Sequence, residues 1–214
     1  MVEIVHEIQK GGIIMVPLLL SSIIALAIVI ERAFSLRKKS VLKSTIIAAI
    51  QNIQSEEDIK VAVRLCEGNS GPFANIIRVA LLNLDLPRED LKEMIVDQGR
   101  QEVRTLERGL TTLETIAGVS PLLGLMGTVL GMIKVFNVIS VQGIGQASVL
   151  SGGISEALIT TVTGLAIGIP ALIAFNYFTN RAESLVMDIE KYSSDLLQKK
   201  PKLHKLHKID AIQK

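Results

Sequence analysis

Charge is absent from two long stretches of this chain, and that absence constrains its fold more than any other feature. From Gly11 to Ile30 there are 20 residues without an ionisable side chain. As a helix they extend about 30 Å, the thickness of a bilayer's hydrocarbon core. Between Glu114 and Arg181 lie 66 residues in which only Lys134 and Glu156 carry charge. A soluble domain can bury one helix that lacks a polar face; with three it would have no surface left to meet water. The mean hydropathy of +0.43 points the same way, since mixed surface charge pulls a soluble domain negative.

Three spans follow, and the fold class is an all-α integral membrane protein. Residues 11–31 form the first span, 113–139 the second and 153–178 the third, with the uncharged, glycine-rich loop 140–152 between the last two. Pro17, Pro121 and Pro170 lie inside the spans, where neighbouring helices can satisfy the carbonyls that proline frees. The first span is no signal peptide: it lacks a basic leading region, its apolar run is too long, and Glu31-Arg32 follows where a small-residue cleavage site belongs. Arg32, Arg37, Lys38, Lys39 and Lys43 follow the first span, Arg100, Arg104 and Arg108 precede the second, and Arg181 and Lys191 follow the third. The opposite side offers Lys10 and Lys134. The positive-inside rule therefore puts residues 1–10 outside, and both the domain 32–112 and the tail 179–214 in the cytoplasm.

The remaining composition excludes several functions. Net charge is +2, aromatics are 3% and tryptophan is absent, a poor match to a nucleic-acid binder. One cysteine, Cys66, allows no internal disulfide, and His6, His204 and His207 sit at the chain ends, leaving no material for a compact metal site or a Ser-His-Asp triad. No cofactor loop or nucleophile–base set appears, so neither an enzyme nor a cofactor is expected.

The charged domain reads as helical. Residues 40–87 are amphipathic and broken by the turn cluster Glu67-Gly68-Asn69-Ser70-Gly71-Pro72. From Arg88, after a helix-starting Pro87, Leu91, Ile95, Leu106, Leu110, Leu113 and Ala117 recur at helical spacing. That periodicity predicts one helix running unbroken into the second span, as the third span also runs into the cytoplasmic tail. Lys199 to Lys214 is basic and suits either anionic lipid or solvent.

Ionisable groups within spans are costly and mark function by default. Lys134 and Glu156 fall at similar depth near the outer surface, where Lys134 either snorkels outward or pairs with Glu156. Gly124, Gly127 and Gly131 on the second span, and Gly164 and Gly168 on the third, are close-packing positions. Thr128, Thr160, Thr161 and Thr163 exceed what packing alone requires and suit a wet path. On a helix Glu156, Thr160 and Thr163 share one face while Thr161, Gly164 and Gly168 share another. Two non-lipid faces on one helix call for enclosure by other copies of the chain.

The stretches Gly124-Leu-Met-Gly-Thr-Val-Leu-Gly131 and Gly153-Ile-Ser-Glu-Ala-Leu-Ile-Thr-Thr161, then Gly164 to Pro170, resemble the MotA/TolQ/ExbB proton-channel family, as does the first span from Gly11-Gly12 to Glu31-Arg32. Three spans with one large cytoplasmic insertion are similar to its ExbB/TolQ branch. The resemblance implies a homopentameric ring in the bacterial inner membrane that encloses single-span helices of an ExbD- or TolR-like partner and energises a TonB- or TolA-like protein, with a periplasmic N-terminus. It implies pore-lining roles for Thr128 and Thr161 and the third-helix glutamate role for Glu156, the proton-carrying aspartate belonging to the partner. A passive oligomeric scaffold and a sodium-driven stator are the competing readings.

Overall fold

The computed structural model describes the backbone of residues 12–142 and 147–212 and the side chains of residues 12–141 and 151–198. The outer N-terminal segment, residues 143–146 of the expected loop and the side chains of the basic tail lie outside the described residues. Among the described residues every regular element is a helix: α1 Met15–Ser35, α2 Lys38–Val41, α3 Ser44–Gln51, α4 Glu56–Glu67, α5 Pro72–Leu82, α6 Arg88–Leu106, α7 Leu110–Gln142 and α8 Ala147–Ile212. Three helices are long and apolar enough to cross a membrane: Met15–Ser35, Leu110–Val141 and Ser151–Gln198.

The chain forms two compact units. The apolar unit comprises Met1–Glu31 and Gly109–Tyr177. Here α1 buries Ile14, Met15 and Leu18, with Leu123 of α7 and Ile167 of α8 packed against them. Its outward faces remain apolar, as with Leu20, Ile24, Leu122, Leu125, Val162 and Leu165, all exposed. Only a lipid solvent or further protein makes such a surface favourable.

The second unit, Arg32–Arg108 and Phe178–Lys214, is a helical domain with a conventional core. Phe73, Ile77, Leu91 and Leu185 are fully buried, and Phe73 meets the ring of Tyr192 edge-on at 5.7 Å between centroids. On α8 the buried residues Ala182, Leu185, Ile189, Ser193 and Leu196 recur at threes and fours, the stripe of a helix with one buried side. The expected break at residues 68–71 is present, with Pro72 opening α5. Two further breaks were not expected, at residues 42–43 and, with a clear local cause, at residues 52–55. The cause of the latter is a capping box: Ser55 Oγ accepts from the Asp58 amide while the Asp58 carboxylate accepts from the Ser55 amide. The amide of Gln54, then the hydroxyl and amide of Ser55, hold the Asp58 carboxyl below the usual carboxylate range.

The structure corrects the long unbroken helix expected from Arg88 into the second span. Helix α6 closes at Glu107, whose amide donates to Val103 O, and Gly109 has φ +78°, a left-handed conformation that interrupts the helix before α7. The buried Arg32 guanidinium donates to the carbonyls of Leu106 at 3.1 Å and Thr105 at 3.3 Å. Those carbonyls would have been orphaned by the break, so a cation at a helix C-terminus offsets its cost. Leu106, Leu110 and Leu113 keep helical spacing in the sequence across residues 107–109, and that hid the glycine's role.

Candidate functional site

The α7–α8 pair carries the charged pair Lys134 and Glu156, and its seam holds the hydroxyls of Thr128, Thr160 and Thr161. The two helices run antiparallel, for Gly168 sits by Ala117 and Pro121 at one end and Gly153 by Gly131 and Val135 at the other. A methyl group added at Gly124 would lie 2.8 Å from Thr160 O, at Gly164 2.5 Å from Ser120 O, and at Gly131 2.8 Å from the Ala157 Cβ. At Gly168 it would lie 2.7 Å from Pro121 Cγ, and at Gly127 it would overlap the Thr160 side chain. All five glycines singled out in the sequence therefore line this one seam, and each is there because a backbone or a side chain of the facing helix occupies the space its own side chain would need.

Close approach brings hydroxyls within reach of the opposite backbone. Thr128 Oγ1 donates across the seam to Ala157 O at 3.0 Å, and Thr161 Oγ1 donates back to Gly124 O at 3.1 Å. The hydroxyls of Thr128 and Thr161 also touch one another. Four groups, two hydroxyls and two carbonyls, thus form one partly buried polar knot inside an apolar unit. Each hydroxyl has one proton to give and two lone pairs, so the knot can relay hydrogen bonds but holds no group that stores a proton at ordinary pH.

Thr160 and Thr163 are placed differently. Thr160 is fully buried against Gly127, and its hydroxyl donates to Ala157 O of its own helix at 2.8 Å. Thr163 likewise donates to Ile159 O at 2.8 Å. The two faces expected on the third helix are therefore largely served by one neighbour, since α7 takes Thr160 as well as Thr161, Gly164 and Gly168.

Toward the far end of α7, Lys134 Nζ meets Glu156 Oε1 at 2.5 Å, the Lys134 side chain being 59% exposed and that of Glu156 21%. A residue that sequence reasoning quoted but gave no role completes this corner. Gly12, with φ +68°, lies directly against the Glu156 carboxylate, and a methyl group there would collide with Oε1 and come within 3.6 Å of Lys134 Nζ. Nothing in the sequence links residue 12 to residue 156; only packing brings α1 to the pair. Ala157, the acceptor for both Thr128 and Thr160, was also missed, although its four-residue spacing from Gly153 and Thr161 was visible. Ser120 Oγ is buried without a hydrogen-bond partner beside Pro121, which supplies no amide to Ala117 O.

Among the described residues no group of three His, Cys, Asp or Glu side chains could hold a metal ion. The second unit carries a groove of about 470 Å³ between α6 and α8, lined by Ile95, Val103, Leu106, Val186, Ile189 and Leu197 among others. Lys92, Arg100, Glu102 and Glu190 also line it.

The model of the MotA/TolQ/ExbB proton channel family matches residues 69–191. The chain is 33% identical over 172 residues to a biopolymer transport protein of Synechocystis sp. described as ExbB-like 3, covering 79% of this chain and 82% of that one. It is 30% identical over 188 residues to the biopolymer transport protein ExbB homolog of Methanothermobacter thermautotrophicus, covering 87% of this chain and 67% of the other. Against the biopolymer transport protein ExbB of Xanthomonas campestris it is 34% identical over 96 residues, 45% of this chain and 38% of that relative.

Proposed function

The chain belongs to the MotA/TolQ/ExbB proton channel family, and we propose that it serves as an ExbB/TolQ-like subunit of an ion-driven motor in the bacterial inner membrane. A membrane protein of this family needs a route for charge, and the Thr128–Thr161 knot is the observation that carries the reading. It sets two hydroxyls into the close-packed α7–α8 seam, along the same helices that carry the Lys134–Glu156 pair. In this reading the N-terminus and the α7–α8 connection face the periplasm, as the basic residues suggest.

A hydroxyl knot cannot by itself take up and release protons. The reading therefore needs a titratable acid from outside the chain, supplied by a single-span ExbD- or TolR-like partner inserted into a ring of this subunit, five copies by analogy with the family. The work output is strain on a TonB- or TolA-like envelope protein. A membrane potential of about 100 mV supplies roughly 2.3 kcal/mol for each charge that crosses, so several protons can drive one step. Sodium in place of protons would use the same hydroxyls and carbonyls.

The test is Thr128→Val and Thr161→Val, which keep nearly the same volume and remove the hydroxyl. Ion flux into liposomes is measured for the subunit with and without a single-span ExbD- or TolR-like partner, together with growth that depends on energised uptake. Assembly is expected to persist while partner-dependent flux and growth fall. Full flux from the subunit alone, unchanged by both substitutions, would overturn the reading; a proton-specific or sodium-specific dependence decides the ion.

A further inference from the structure

Among the described residues the Glu156 carboxylate meets two other segments of the apolar unit, and only one of the two contacts is with a charged side chain. Lys134 of α7 meets it at 2.5 Å. Gly12 lies against it from the other side, in a left-handed conformation at φ +68°. Immediately after Gly12 the chain turns into α1: the Met15 amide donates to Gly12 O at 3.2 Å and the Val16 amide to Ile13 O at 3.3 Å. These bonds fix the first turn, so Gly12 is held in place beside the carboxylate, at the helix end whose dipole favours an anion. Ile14, Met15 and Leu18 anchor the same turn against Leu123 and Ile167, so α1 is not free to swing away from the pair.

We propose that Gly12 is a positioning residue for Glu156. Its missing side chain and left-handed backbone seat the carboxylate between the Lys134 ammonium and the N-terminal turn of α1, making α1 the third wall of the ion mouth. The inference rests on the reading above in giving Glu156 a place on the ion path; the seating itself does not depend on it. Two features of Gly12 are needed together. A residue with a Cβ is strained at positive φ, and the Cβ would occupy the volume of Oε1. Shifting the carboxylate by the width of a methyl group breaks its contact with Lys134. The carboxylate, only 21% exposed, then loses the cation that offsets its partial burial, while the more exposed Lys134 ammonium stays solvated.

The experiment is zero-length carbodiimide coupling in the purified, assembled protein. An amide between Lys134 and Glu156 forms only when amine and carboxylate touch, and the linked peptides are quantified by mass spectrometry. Gly12→Ala is made in two backgrounds, wild type and Glu156→Asp, because aspartate is one methylene shorter and withdraws from the added methyl. Backbone strain is common to both backgrounds, so their difference isolates the collision. Gly118→Ala is the control, since nothing lies within 4 Å of the methyl it adds.

With Glu156 present, Gly12→Ala is expected to lower the 134–156 link by about fivefold or more, the collision with Oε1 adding to the strain shared by both backgrounds. In the Glu156→Asp background the same substitution should lower it by less than about twofold. Should Gly12→Ala fail to assemble, recovery of assembly by Glu156→Asp is the corresponding result. Equal losses in both backgrounds, no loss in either, or no recovery of assembly would overturn the proposal. If the coupling behaves as expected while Glu156→Gln leaves partner-dependent flux and its pH profile unchanged, the seating stands and the ion-path role of Glu156 fails.

Discussion

Gly164→Ala should separate α7 from α8, and the structure allows the cost to be worked out. The added methyl would sit 2.5 Å from Ser120 O, 3.0 Å from Gly124 Cα and 3.1 Å from Gly124 N. All three are backbone atoms, so no rotamer change can relieve the overlap. Ordinary contact begins at 3.4 Å, and closing the gap from 2.5 Å moves the helices apart by about 0.9 Å. The same movement stretches Thr161 Oγ1 to Gly124 O from 3.1 Å and Thr128 Oγ1 to Ala157 O from 3.0 Å to about 4 Å, beyond hydrogen bonding. Interhelical hydrogen bonds in a bilayer contribute about 0.6 kcal/mol each, so the two together lose roughly 1 kcal/mol. A radial gap of this size also forfeits a quarter to a half of each dispersion contact along the seam, about 1–2 kcal/mol more. Alanine returns up to about 1 kcal/mol through its higher helix propensity. Gly118→Ala gains that propensity with no atom within 4 Å of its methyl, so it serves as the reference. The stability of the two variants in reversible SDS titration should differ by about 2–3 kcal/mol, with Gly164→Ala the weaker. Indistinguishable midpoints would refute the claim that backbone contact at this glycine holds the seam closed.

Other outcomes follow from single contacts. Lys134→Met or Glu156→Gln alone should weaken the assembly more than the double change, because a lone partly buried charge costs more than none; strictly additive losses in thermal stability would show the two residues to be independent. Burial, and more weakly the Glu67 charge, push the Cys66 thiol up to about 11 from 9.0, against a small lowering by Arg78. Its contribution to stability is then complete below pH 9.0 and lost as pH rises toward 11, and iodoacetamide at about pH 8 should leave it unmodified until the domain is unfolded; rapid native labelling would contradict the burial. Arg32→Met should lower the melting temperature of the assembled protein by several degrees, since it uncaps the carbonyls of Thr105 and Leu106; a neutral result would mean water caps them equally well. For the proposed orientation, a cysteine at Lys39 on a Cys66→Ser background should stay unreactive to an impermeant reagent added outside intact cells; modification there would reverse the topology.

Much of this protein was written in its sequence because bilayers and helices impose simple periodic demands. Twenty uncharged residues from Gly11 and a further sixty-six interrupted only by Lys134 and Glu156 leave helices in lipid as the one economical outcome, and no partner was needed to see it. The glycines at 124, 127, 131, 164 and 168 announced close packing by their spacing of threes and fours, and the paired motifs announced the family. What the sequence alone could not decide was set by three-dimensional coincidence. Gly109 looked like one residue within a periodic run until its positive φ and the Arg32 guanidinium revealed a helix end. Thr160 and Thr163 resemble Thr128 and Thr161 in type, yet only the latter pair cross the seam, because the antiparallel register aims them at Ala157 and Gly124 while the others fold back on their own helix. Gly12 had no reason to matter until α1 docked beside Glu156. Periodicity reports which side of a helix avoids lipid or water, but it carries no information about the distance between residues on different helices, and that distance is what separates a packing threonine from one in a polar relay.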